Sequence, residues 1–256
     1  MRTPIALLPV VLAGTLVLAP SPGNAESGVP TAIQPTSNLP DGFKVLEDYV
    51  EALGGEKAYR KHKTEELAGT IEIPAVGASG TVVLRREADT KTKVTIELEG
   101  LGSIVQGTNG EVAWRAQLGM PTEILEGDEA NKLINEANYY APVEPRKTYT
   151  EAKTVGKITF DGVECYQLEL ITRWGDHQVG LFEVESGLHR KISTRSAPGS
   201  DTFTTETTYS DYRKVKGVKR PFALEISAMG MKQVIRFDSI ELGVKFAKDT
   251  FDPPKN

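Results

Sequence analysis

From Thr64 onward, apolar side chains recur at every second position for most of the chain. Val94, Ile96 and Leu98 alternate with Thr95, Glu97 and Glu99, and Val112, Trp114 and Ala116 with Glu111, Arg115 and Gln117. Tyr166, Leu168 and Leu170 alternate with Cys165, Gln167 and Glu169, and Phe182 and Val184 with Glu183 and Glu185. Phe222, Leu224 and Ile226 continue the register, which Ile235 and Phe237 extend. A period of two predicts antiparallel strands with one apolar and one wetted face. Between the runs stand Asn109-Gly110, Asp161-Gly162, Ser186-Gly187, Lys216-Gly217 and Met229-Gly230. Such X-Gly pairs supply the positive φ angles of tight hairpins, so neighbouring strands pair in sequence order. The pattern predicts one large antiparallel sheet of roughly eleven or twelve strands, without internal repeats.

Two stretches break the alternation. After Asp41, a candidate N-cap, Phe43, Leu46, Tyr49, Val50 and Leu53 form an amphipathic helical stripe that Gly54-Gly55 ends. One or two further turns extend this helical region to residue 63. A second helix is predicted over 128–138, with Asp128 as its cap and Ala130, Leu133, Ile134 and Ala137 on one face. Tyr139-Tyr140-Ala141-Pro142 stops it. A one-sided sheet needs its apolar face covered. Two short helices cannot cover so many strands laid flat, so the sheet must curl around them, leaving room for an apolar cavity. The expected fold is mainly β, an open half-barrel with a helical lid. The wall of such a cavity, or equally a solidly packed core, would be Val94, Ile96, Leu98, Val112, Trp114, Leu168, Leu170, Phe182, Val184, Leu224, Ile226, Ile235 and Phe237. Its lid would be Leu133 and Ile134, joined by Ile124 and Leu125.

The first residues carry a different pattern. Arg2 precedes an apolar run from Ile5 to Ala19, which breaks at Pro20-Ser21-Pro22-Gly23 before Gly23-Asn24-Ala25. This is the layout of a secretory signal cleaved near Ala25, and the run is short for a membrane span. Thr15 follows Leu12-Ala13-Gly14 where a lipoprotein signal would need cysteine. The expected product is exported, periplasmic and soluble, without lipidation and without a transmembrane span. Residues 26–40, with Pro30, Pro35 and Pro40 among small polar residues, read as a flexible linker. Residues 41–256 then form a single domain.

Composition narrows the chemistry. The 256 residues carry 30 Lys+Arg against 35 Asp+Glu, a formal charge of -5, which argues against a nucleic-acid partner. One cysteine permits no intrachain disulfide and no cysteine-based zinc site. His62, His177 and His189 are the only histidines and lack metal-ligand spacing, so no metal and no cofactor is expected. There is no nucleophile elbow, no P-loop and no dinucleotide fingerprint. Gly100-Leu101-Gly102 reads as a turn, and Glu97/Glu99 and Glu183/Glu185 as a solvated outer surface. Cys165 reads as structural. No catalytic residue is expected, and the chain does not read as an enzyme. Alternating strands behind an export signal would also suit an outer-membrane barrel, but the charged second face could not meet lipid.

Several segments resemble a known family. They are Asp48-Tyr49-Val50-Glu51-Ala52-Leu53-Gly54-Gly55, the hairpin from Phe160-Asp161-Gly162 to Cys165-Tyr166-Gln167-Leu168, and Ser186-Gly187-Leu188. Tyr209 through Pro221 and the closing Phe251-Asp252-Pro253-Pro254 complete the set. Together they are similar to the outer-membrane lipoprotein-sorting proteins, the LolA/LolB-type periplasmic carriers, over roughly residues 42–254. The resemblance implies a half-closed antiparallel barrel whose helical lid covers a cavity for lipoprotein acyl chains, with no catalytic motif. The expected function is therefore a periplasmic carrier or binding protein for a lipid or acylated lipoprotein. The alternative is an envelope interaction or sensor protein on the same scaffold, meeting other envelope proteins without transporting lipid.

Overall fold

The computed structural model describes residues 38–255 apart from 118, 196–197, 199–202 and 229. The expected export segment and most of the linker lie outside the described residues. Among the described residues the chain forms thirteen strands. They are β1 (Thr64–Ile73), β2 (Ala78–Glu87), β3 (Lys91–Leu98), β4 (Gly102–Thr108), β5 (Ala113–Gln117), β6 (Glu123–Ile124) and β7 (Tyr149–Phe160). There follow β8 (Val163–Thr172), β9 (His177–Glu183), β10 (His189–Arg195), β11 (Phe203–Val215), β12 (Val218–Ala228) and β13 (Met231–Leu242). All belong to one antiparallel sheet in the order β6-β5-β4-β3-β2-β1-β13-β12-β11-β10-β9-β8-β7. Each half is a meander, and the seam between β1 and β13 joins the halves. The edges are β6 and β7, so the sheet is not closed into a barrel.

The hairpins follow from the turn residues. Asp161 and Gly162 hold φ of 47° and 78°, and Lys216 and Gly217 hold 46° and 92°. Two consecutive positive φ values define the hairpin turn whose twist matches that of its strands. At the seam, the β13 strand carries an extra residue opposite Ala68/Gly69. The bulge shifts its inward positions from Ile235 and Phe237 to Ile240 and Leu242, all buried. Gly69 is required there, because a Cβ would sit 2.0 Å from the Arg236 carbonyl oxygen.

Helix α1 (Gly42–Ala52) starts at Asp41, whose carboxylate accepts from the Phe43 and Lys44 amides. Gly54 and Gly55, at φ of 113° and 85°, turn the chain into α2 (Glu56–Tyr59). The second helical region, α3 (Gly127–Glu136), starts one residue earlier than expected, with Glu126 rather than Asp128 at its cap. It leads through a tight turn at Ala141–Val143 into α4 (Pro145–Thr148), two pieces too short to show a period in sequence.

The helices lie on one sheet face. Val45 and Leu46 of α1 pack on Leu168, Leu170 and Phe182, while Val50, Leu53 and Tyr59 join a larger cluster with Leu67, Ile71, Val82, Ile96 and Ile235. Leu133 of α3 packs on Ala113 and Leu125. From this anchorage on β5, Lys132 of α3 reaches Asp176 in the β8–β9 turn at 3.7 Å. The β5 and β9 strands stand nine places apart. On a flat sheet, at about 4.8 Å per strand, that is about 43 Å, whereas α3 is only about 15 Å long. The sheet is therefore curled around its helices.

The C-terminal segment covers the opposite face. Trp114 donates its indole N–H to the Phe251 carbonyl at 3.0 Å, and Asn109 holds Asp252 at 2.9 Å. Phe246 meets Phe251 edge to face.

Candidate functional site

Directly paired residues share a face, which settles where each expected wall residue points. The row Leu168, Gly180, Ile192, Thr207, Ile226 and Gln233 crosses from β8 to β13 on the helix-covered, inner side. Val94, Ile96, Leu98, Ile226, Ile235 and Phe237 are buried in the larger cluster, with Leu224 half-buried against it. Leu168, Leu170 and Phe182 are buried beneath α1. Val184 is half-buried just beyond the end of β9. Leu133 is buried and Ile134 half-buried against Ala113, Leu125 is buried with them, and Ile124 is exposed.

Trp114 and Val112 are corrections. Trp114 pairs with Gly107, and Gly107 with Lys93, so Trp114 shares the face of Lys93 and opposes Val94 and Ile96. The ring fills the space left by Gly107, where a Cβ would lie 2.9 Å from it, and Lys93 sits 5.8 Å above its centre. Burial comes from the C-terminal segment, and Ala113 is the residue that faces α3. Trp114 emission thus reports docking of that segment, not events on the inner face. Val112 lies in the β4–β5 turn, outside either strand.

Between the two filled clusters, the inner face is less completely covered. Ile192 and Thr194 on β10 and Thr205, Thr207 and Tyr209 on β11 are half-buried, although their neighbours Leu168 and Ile226 on the same row are buried. Tyr209 keeps part of its surface accessible, yet desolvation pushes its hydroxyl up to about 12. His189 behaves alike. It stacks on Phe182 at 4.4 Å, contacts Tyr49 and Tyr209, and donates its Nε2–H to the Lys191 carbonyl at 2.9 Å. Burial pushes its pKa down to about 4, so the ring is neutral at pH 7. The sequence singled out His189 only for lacking metal-ligand spacing; the structure places it in an aromatic cluster with Phe182, Tyr49 and Tyr209. The Thr205 hydroxyl is buried there without a hydrogen-bond partner.

A charged group lies on the same face. Glu65 is buried, accepting from Arg220 Nε at 3.0 Å and from Arg86 Nη1 at 3.3 Å. Arg86 also donates to the Asn138 carbonyl at 3.2 Å, and Arg220 lies over the Tyr59 ring at 4.1 Å. Tyr59 in turn donates to the Tyr139 carbonyl. Glu65, Arg86 and Arg220 occupy inward positions that their strands otherwise give to Leu67, Leu84 and Phe222. Charge inside an apolar register was the available sequence signal for them.

The lid carries a titratable contact. Glu136 of α3 lies 3.9 Å from Lys132, which also pairs with Asp176. Burial, with Asp176 adding to it and Lys132 opposing it, raises the Glu136 carboxyl from its ordinary 4.5 to about 7. Between pH 7 and 4.5 the folded chain therefore binds a proton that the unfolded chain does not, and stability rises as pH falls through that window. Glu136→Gln is expected to stabilise the protein by about 1–3 kcal/mol at pH 8, with the gain vanishing by pH 4.5. Urea unfolding at the two pH values checks this; the same effect at both would refute it.

Among the described residues no group of three or more His, Cys, Asp or Glu could hold a metal ion. Burial pushes the Cys165 thiol up to about 11, so it is not a thiolate at neutral pH. Among the described residues no helix is long and apolar enough to cross a membrane.

A curled antiparallel sheet, open at its edges and wrapped on internal helices, defines the class of fold. Solved structures share it. A DUF1329 family protein from Desulfovibrio piger superposes with a TM-score of 0.58 at 12% identity, covering 83% of this chain and 97% of its own. A LolA superfamily protein from Nitrosomonas europaea gives 0.56 at 15% identity, with 83% and 98% covered. A domain assigned to an outer membrane lipoprotein-sorting protein from Vibrio parahaemolyticus gives 0.56 at 10% identity, with 83% and 97% covered. The expected fold resemblance is thus observed. No protein-family model and no curated protein matches the sequence.

Proposed function

We propose that this chain is an exported binding or carrier protein for the acyl chain of a lipid or lipoprotein. The observation that carries the proposal is the half-buried inner-face stretch of β10 and β11, held between the apolar cluster of Val45, Leu46, Leu168 and Phe182 and the larger cluster that Val50, Leu53 and Tyr59 join. Ile192, the neighbouring Leu224 of β12 and the rings of Tyr209 and His189 give that stretch its apolar surface, beside Thr194, Thr205 and Thr207. Each methylene buried there would contribute about 0.8 kcal/mol, so a long chain is held by its length rather than by any single contact. The fold shared with LolA superfamily structures supports the same reading, and the export segment read from the sequence would place the carrier in the periplasm. Native mass spectrometry of protein purified from its own host tests it. Co-purifying fatty acid or phospholipid is expected. Protein that is consistently empty and takes up no fluorescent acyl probe would sink the proposal.

A further inference from the structure

The half-buried stretch of the inner face carries hydrogen-bonding groups but no charge. Its inward positions on β9, β10 and β11 are Gln178, Gly180, Ile192, Thr194, Thr205 and Thr207. Arg86 and Arg220, elsewhere on the same face, are already engaged by Glu65. Thr207 and Tyr209 stand two residues apart on β11 and therefore point to the same side. The Tyr209 ring lies 4.9 Å from that of His189, so the three side chains make one continuous surface.

His189 sets the polarity of that surface. The Lys191 carbonyl that it meets can only accept, which puts the ring proton on Nε2 and leaves Nδ1 as an acceptor. Among the described residues nothing donates to Nδ1, and nothing bonds to the hydroxyls of Thr207 and Tyr209. The Thr205 hydroxyl is fully buried, whereas these three atoms keep accessible surface. Water can serve all three, and a ligand that displaces it loses affinity unless it restores the hydrogen bonds. A carboxylate brings a charge with no free cation to meet it, and burying such a charge is costly. Carboxylate and ester alike offer only acceptors, so neither serves Nδ1. A hydroxyl both donates and accepts, and it is neutral.

We propose that Thr207, Tyr209 and His189 receive a neutral, hydroxyl-bearing head group of an acyl ligand, as in a monoacylglycerol. The chain lies against Ile192 and Leu224, which pair with Thr207 and Tyr209 across their strands. This rests on the carrier reading and gives its cargo a chemical class: an uncharged acylated polyol rather than a free fatty acid.

Displacement of a fluorescent acyl probe by 1-monolauroylglycerol, methyl laurate and laurate at pH 8 tests the assignment. Thr207→Val and Tyr209→Phe each remove a hydroxyl that no protein group uses, so their thermal midpoints should stay within a few degrees of the parent protein. Each variant should weaken monolauroylglycerol relative to methyl laurate by about fivefold, the scale of one neutral hydrogen bond. Taking that ratio within each protein cancels the different water solubilities of the two compounds. Laurate should bind at least about tenfold more weakly than monolauroylglycerol. A ratio unchanged in both variants removes the assignment to these hydroxyls and leaves the carrier reading standing. Laurate binding as tightly as monolauroylglycerol overturns the neutral head group, again without touching the carrier reading. Failure of the protein to take up the acyl probe at all overturns both.

Discussion

Glu65→Leu is expected to destabilise the fold by about 3–5 kcal/mol, a large share of the roughly 5–15 kcal/mol available to a domain. The substitution leaves Arg86 and Arg220 facing each other beneath Tyr59 and Tyr139, with no carboxylate between them. Leucine itself suits the position, since Leu67 and Leu242 are buried neighbours on the same face. The loss therefore comes from the stranded charges. Replacing all three residues at once, as Glu65→Leu with Arg86→Met and Arg220→Leu, should recover most of it, because no buried ion then remains. Urea unfolding of the single and triple variants separates the two effects. A single-variant loss below about 1 kcal/mol would mean that water reaches the guanidiniums.

The second large effect is expected at Leu168, which is 0% exposed between Val45, Leu46 and Phe182. Leu168→Ala should cost about 2–5 kcal/mol, the range for a truncated core leucine. Leu168→Asp should prevent folding, because it buries a carboxylate among Val45, Leu46, Leu170 and Phe182. Thr207, three strands away on the same inner row, provides the contrast. It is half-buried in the accessible stretch, so Thr207→Val should change stability by no more than about 0.5 kcal/mol. Circular dichroism melts of the three variants map which part of the inner face is solid and which is open. Similar losses at Leu168→Ala and Thr207→Val would contradict that division.

Much of this architecture was legible in the residues. Period-two alternation found the strands, and Asp161-Gly162 and Lys216-Gly217 marked hairpins that adopt the backbone angles those pairs favour. Three things were hidden, each for a physical reason. Alternation says which residues share a face but not which face is covered by helices. Trp114 was placed with Ile96 because it is large and apolar, yet its cover comes from Phe251, more than a hundred residues away. The β13 bulge shifts the inward set between Phe237 and Ile240, and no local turn residue announces a one-residue slip. The accessible stretch could not be distinguished from filled core, because Ile192 and Leu224 have the same chemistry as Leu168 and Ile226. Only the Glu65, Arg86 and Arg220 group was visible and overlooked, as charges standing in apolar rows.

The seam has a consequence for how the protein is made. Contacts in the β1–β6 and β7–β13 meanders are between sequence neighbours, whereas Ile71 must find Ile235 across most of the chain. When the β1–β6 half organises first it presents β1 as a bare strand edge, and bare edges recruit other chains. A polypeptide delivered N-terminus first holds that edge open until its last strand arrives. Factors that shield unpaired strands during folding would therefore act on β1. Charged residues on Thr64–Ile73 serve the same end: Glu65, Glu66 and Glu72 keep an otherwise sticky edge soluble until β13 covers it.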